Sequence, residues 1–140
     1  MAACAGILNR WIDATPWMPR VHGHADVERY YEETVFAERR VIVAEEMNDV
    51  AGFLALSNDR FVTALYIDAP HRGVGIGSRL LDVARNLSPQ ELNLWTFENN
   101  RAAQRFYENQ GFQVVRRTDG DNEEQLPDLL YQWQAREIEA

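Results

Sequence analysis

A chain of 140 residues is long enough to bury a substantial core within one domain, and 46% hydrophobic with 26% charged residues is the balance of an ordinary soluble globular protein. The net charge of −8 opposes a nucleic-acid partner, whose phosphates it would repel, but suits a cationic amine. No apolar run reaches the ~20 residues that span a bilayer, no basic, apolar leader opens the chain, and Cys4 is the single cysteine, so the expectation is a cytoplasmic protein without membrane partner, disulfide or metal.

Ile7, Leu8, Trp11 and Ile12 recur at helical spacing and predict a first helix over about residues 2–13, broken at Thr15-Pro16-Trp17-Met18-Pro19. Val27, Tyr30, Tyr31, Thr34 and Val35 predict a second helix, with Asp26 and Glu28 near its start. Val41–Ala44 and Ala51–Leu56 read as a hairpin turning at Asn48-Asp49, and Asn58-Asp59 turns into a third strand over 61–67. A helix from Ser78 to Arg85 follows, then a strand at 92–97, a helix over 101–109 closed by Gly111, and two last strands, 112–117 and 128–133. The polar stretch Thr118–Glu124 between them is an exposed loop. The order α-α-β-β-β-α-β-α-β-β predicts an α/β domain with a mixed sheet, in which the 61–67 and 92–97 strands are parallel neighbours across a right-handed crossover.

Arg72-Gly73-Val74-Gly75-Ile76-Gly77-Ser78 sits where the third strand turns into the helix. Alternating glycines there leave backbone N–H groups free at the positive end of a helix dipole, an arrangement that binds phosphate, and Arg72 adds a fixed charge. Dinucleotide binding requires Gly-x-Gly-x-x-Gly, whereas the spacing here is Gly-x-Gly-x-Gly, and a phosphate loop of the Gly-Lys-Ser/Thr type needs a lysine that the segment lacks.

The segment Leu65–Leu81, with Arg72, Gly75 and Gly77 meeting a Gln/Arg-x-x-Gly-x-Gly/Ala pattern, resembles the acetyl-CoA-binding motif of the GNAT superfamily of N-acetyltransferases. Asn100–Phe112 resembles a second family pattern, Asn-x-x-Ala-x-x-Phe-Tyr-x-x-x-Gly-Phe. The resemblance covers about residues 2–134. It implies a mixed, mostly antiparallel sheet with a central parallel strand pair splayed around the cofactor and helices on both faces. The expectation is a single 1–140 domain that lacks the family's usual first strand, because the helix-like segment comes first; either the sequence is truncated or another element covers the sheet edge.

The resemblance further implies that residues Arg72, Gly73, Val74, Gly75, Ile76, Gly77 and Ser78 wrap the pyrophosphate of acetyl-CoA. Leu65, Tyr66 and Ile67 would offer backbone N–H groups to the thioester carbonyl, and Asn100 would contact the pantetheine arm while also capping its helix. Tyr107 takes the position of the acid that protonates the departing thiolate, although a core aromatic beside Phe106 would look the same in sequence. The general base is open among Glu45, Glu46, Glu98, Glu123 and Glu124; Glu98, at the C-terminal end of a central strand, is preferred. The acceptor pocket is expected from Trp17, Met18, Pro19, His22, Trp95, Phe97 and the late loop. His22, His24 and Asp26 lie close in sequence, yet are more simply surface residues than a metal site.

The leading expectation is transfer of acetyl from acetyl-CoA to a primary amine, most simply of a small molecule, by direct attack in a ternary complex, because Cys4 lies far from the motifs. The alternatives are acetylation of a protein N-terminus or lysine, and a non-catalytic acyl-CoA-binding or sensing module. A homodimer is possible, since a missing first strand would leave a sheet edge open.

Overall fold

The computed structural model describes residues 2–135. Helix α1 (Ala2–Ala14) opens them and α2 (His24–Tyr30) follows a loop. The second predicted helix does not run through uniformly: α2 passes into a π-helical turn at Tyr31–Val35 and then the short α3 (Phe36–Glu38). A π turn widens the helix and shifts which side chains face inward, so that Val27, Tyr31 and Val35 are all buried.

Strands β1 (Arg40–Glu46), β2 (Asp49–Leu56) and β3 (Val62–Ile67) form an antiparallel sheet in chain order. The first hairpin turns at Met47 and Asn48, both with positive φ and flanked by the pair Glu46↔Asp49. That is one residue earlier than the sequence suggests, in the left-handed turn that matches strand twist. β1 pairs with β2 alone and is a sheet edge among the described residues.

Helix α4 (Ile76–Leu87) leads to β4 (Glu91–Phe97), then α5 (Arg101–Asn109), β5 (Gln113–Thr118) and β6 (Asp128–Gln134). The last strand inserts itself, giving a second antiparallel sheet in the order β4-β6-β5. β3 and β4 are parallel neighbours, as expected, but are bridged only at Phe61↔Asn93, where Asn93 N–H donates to the Arg60 carbonyl at 2.8 Å. Beyond that point they separate and the molecule has two sheets joined at one apex.

The buried Asn93 holds the apex together. Its amide donates to Glu91 Oε2 at 2.9 Å, and its Oδ1 accepts from Gln132 Nε2 at 3.0 Å. Alternation along the strands produces two cores. Leu54, Leu56, Leu81, Leu92, Leu94, Phe112 and Tyr131 pack with α4 and α5, whereas Phe53, Ala55 and Ala64 pack with α1, α2 and the π turn. Helices therefore cover both faces, and the gap between β3 and β4 opens toward both.

Candidate active site

On one side of the gap lies the glycine loop. Gly73 and Gly75 have φ of 81° and 84°, and a Cβ at either would meet nothing within 4 Å. Glycine is required there by backbone conformation rather than by crowding. Gly77 differs: its Cβ would stand 3.1 Å from Phe106 Cζ, so its smallness serves the packing of α4 on α5. Gly75 caps α4, and the N–H groups of residues 73–78 have no acceptor among the described residues. Free donors ahead of a 12-residue helix are an arrangement that can cradle phosphate oxygens.

Arg72 does not simply stand at the mouth. Its Nε donates to the Ile67 carbonyl at 2.9 Å and fixes the loop to the end of β3. The Ser78 hydroxyl is engaged with Gln110, whose Nε2 donates to it at 3.1 Å, leaving its backbone N–H for a ligand. Asp68 N–H donates to Ala51 O across the β2 edge, so strand alternation turns the amides of Leu65 and Ile67 toward the gap and that of Tyr66 toward β2. Of these three residues, Tyr66 contributes its ring instead.

Asn100 caps α5 by accepting from Ala103 N–H at 3.1 Å, and its amide nitrogen has no protein partner among the described residues. Tyr107 on the same helix packs its ring against Phe106, Phe112 and Tyr131 at 5.3, 5.6 and 6.2 Å between centroids. Its hydroxyl has no hydrogen-bond partner among the described residues, yet is not sealed: the one sealed, unpartnered side-chain atom there is Arg39 Nε. Burial, and then the nearby Tyr66 phenol, raise its pKa well above that of a free phenol. The group stays protonated across physiological pH.

On the opposite face a cavity of about 700 Å³ lies between α1, α2, the π turn and the 119–127 loop, with Tyr66, Trp95 and Phe97 in its lining. Met18, Pro19 and His22 line it as expected, while Trp17 packs edge-on between Trp11 and Phe97, at 5.8 and 5.9 Å. Trp11, at 5.3 Å from Tyr66, completes this aromatic row. The loop before α2 is tied down by Arg20, which donates to Asn9 Oδ1 at 2.9 Å and to Asp13 at 2.8 Å. Neither Trp11 nor Arg20 carries a motif, and nothing in the local sequence marks either as a support of the site.

Two sequence candidates have other partners. Glu98 stands at the end of β4, but Arg117 donates to its Oε2 through Nε and Nη2 at 3.1 and 2.8 Å, and it does not line the cavity. Glu46 pairs with Arg79 at 3.6 Å. The two histidines diverge: His22 meets Glu123 and His24 meets Asp13, each at 2.8 Å, and no cluster of metal-ligating side chains occurs among the described residues.

The model of the acetyltransferase (GNAT) family matches residues 8–112. The chain belongs to that family. Its reaction class is N-acetyl transfer from acetyl-CoA. It is 28% identical over 135 residues to the peptidyl-lysine N-acetyltransferase YiaC of Escherichia coli K12, covering 91% of this chain and 88% of that protein. Over a shorter segment, 58% of this chain and 54% of the relative, it is 35% identical to the peptidyl-lysine N-acetyltransferase YjaB of the same organism. Among solved structures, apo YjaB from E. coli superposes with a TM-score of 0.74 at 27% identity over 95% of this chain and 90% of that one. The yncA protein of Salmonella typhimurium, solved with its cofactor acetyl-CoA, shares the fold at TM-score 0.69 and 24% identity, over 97% and 88% of the two chains.

Proposed function

We propose that this chain acts as one catalytic domain that transfers acetyl from acetyl-CoA to the ε-amine of a lysine side chain presented by a protein or peptide. The observation that carries the reading is the pair of openings on either side of the β3–β4 gap. The phosphate cradle of residues 73–78 lies at one, and a broad acidic and aromatic trough reaches Tyr66 at the other. A lysine side chain is long and unbranched enough to pass from such a trough to the gap, and the relatives' names as peptidyl-lysine acetyltransferases agree. A small free amine is the second reading, favoured by the His22–Glu123 contact that ties together the two loops beside the trough.

Acetyl-CoA supplies an activated acyl group, and this chain holds and polarises it. The free amides of 73–78 take the pyrophosphate, and the open edge of β3, at Leu65 and Ile67, receives the arm and the thioester carbonyl. Asn100 has one amide nitrogen left for the arm. The amine nitrogen attacks the carbonyl carbon, the C–N bond forms and the C–S bond breaks. Tyr107 gives its proton to the leaving sulfur and is restored by the proton the new amide nitrogen loses. The phenol is protonated at neutral pH and so has a proton to give, and return of the proton lost by the nitrogen drives the transfer to completion. A cytoplasmic setting is consistent with the lone, buried Cys4.

Thiol release from acetyl-CoA, measured against a lysine peptide, its N-terminal-amine counterpart and a panel of free polyamines, tests the assignment. Turnover of the lysine peptide is expected to exceed the others by at least about tenfold in kcat/KM. A preference for a free amine would select the second reading, and saturable acetyl-CoA binding without turnover on any amine would leave a binding module.

A further inference from the structure

The amine acceptor reaches an acetyl-transferring site as an ammonium ion and must lose a proton before it can attack. Four carboxylates face the acceptor trough: Asp26, Glu33, Glu123 and Glu124. Three are otherwise placed. Asp26 pairs with Arg29 at 3.4 Å, Glu123 pairs with His22 at 2.8 Å, and Glu33 is exposed at the outer wall. Glu124 alone is half-buried and has neither hydrogen bond nor ion pair among the described residues. It also stands close enough to Tyr66 for its charge to act on that phenol. Burial first and Glu124 second push the Tyr66 pKa up to about 12. Tyr66 in turn is the side chain on the trough floor beside the amides that would hold the thioester.

We propose that Glu124 is the catalytic carboxylate that receives the acceptor's ammonium group and takes its proton, with the neighbouring His22–Glu123 contact holding the 119–127 loop so that Glu124 faces the trough. The inference rests on the amine-acetylating reading above. Proton balance is complete. The ammonium gives one proton to Glu124, which passes it to solvent; the second proton leaves the nitrogen after attack and replaces the one Tyr107 donates to the sulfur. Glu98 is unsuited to this step because two guanidinium N–H groups already occupy its outer oxygen. Carbon–nitrogen bond formation does not depend on Glu124 once the amine is neutral, and that separates a proton-accepting role from a structural one.

The test compares wild type, E124Q and E98Q with a blocked peptide carrying one lysine between neutral residues, and with its norleucine counterpart. For E124Q at pH 7.5, kcat/KM for the peptide falls about 100-fold or more, while acetyl-CoA affinity stays within about twofold and the melting temperature is unchanged. The deficit shrinks steadily toward pH 10 as the amine loses its proton unaided. Titration in the presence of coenzyme A gives a second readout: wild type binds the lysine peptide better than the norleucine peptide, and E124Q does not. H22Q, which leaves Glu123 without its partner, gives a smaller loss of the same pH form. Wild-type rates for E124Q across the pH range, or a pH-sensitive loss in E98Q and not in E124Q, would overturn the assignment to Glu124 and leave the enzyme reading intact. Failure of wild type to acetylate any amine would overturn the enzyme reading and this inference with it.

Discussion

Gly75→Ala separates the two uses of glycine in the cradle. At φ of 84° an alanine pays the left-handed penalty, about 1–2 kcal/mol, and nothing within 4 Å adds a clash. If the backbone holds, the folded state loses that amount, which for a domain of this size lowers the melting temperature by about 3–6 °C. If the backbone relaxes toward negative φ, the strain is relieved and the free N–H groups of 73–78 no longer converge, so acetyl-CoA affinity falls by tenfold or more. Gly77→Ala provides the contrast. Its methyl points at Phe106 Cζ, 3.1 Å away and on the side of α5, so the change acts on helix packing and keeps the amide direction. Its helix-propensity gain of about 1 kcal/mol and the displacement of Phe106 largely cancel. Differential scanning calorimetry without ligand and isothermal titration with coenzyme A read both terms. A Gly75→Ala protein with wild-type melting temperature and wild-type affinity would refute the reasoning, as would a Gly77→Ala protein that loses more affinity than Gly75→Ala.

Three further changes follow from the same geometry. Tyr107→Phe keeps the ring among Phe106, Phe112 and Tyr131 and removes the donor, so kcat drops about 100-fold in the steady-state assay while coenzyme A binding and melting temperature hold. Asn93→Leu leaves the carbonyl side of the Gln132 contact empty and deprives Glu91 of its donor; urea unfolding is expected to show a loss of about 1–3 kcal/mol. Burial raises the folded-state pKa of Tyr31, Tyr66, Tyr107 and Tyr131, so the folded protein keeps protons on these four phenols that unfolded chains release above pH 10. Stability is whole below pH 10 and declines above it by about 1.4 kcal/mol per pH unit for each phenol, visible as a steep fall of urea midpoint between pH 10 and 11 and absent between pH 7 and 9.

Local periodicity and turn chemistry carried most of the element order: α1 and α4 each bury one apolar face, and β2 is a short apolar run between turn signals that is buried on both faces. The cradle was legible for a related reason: a positive φ at Gly73 and Gly75 is a backbone demand that a single residue type meets without cost. What the sequence could not show is non-local. The pattern Val27, Tyr31, Val35 reads as ordinary helix, yet the chain takes a π turn at Tyr31–Val35, and all three side chains join the core that holds Phe53 and Ala55 of β2. The last strand's position between β4 and β5 leaves no trace in its own alternation, since either neighbour would satisfy it.

The assignment of the carboxylates turns on the same distinction. Glu98 is the natural choice from strand position, but Arg117 lies 19 residues away on β5 and reaches it only because β6 brings the two outer strands to one loop cluster. Glu124 looks like loop filler until the fold places it on the trough, where it is a carboxylate with no ion pair among the described residues and a phenol in its field. A proton acceptor needs that lack of compensation, because a carboxylate already neutralised by a guanidinium has little pull on an ammonium proton. Charge bookkeeping within the folded trough, rather than position along a strand, therefore decides between the two, and the pH dependence of E124Q is the measurement that tells them apart.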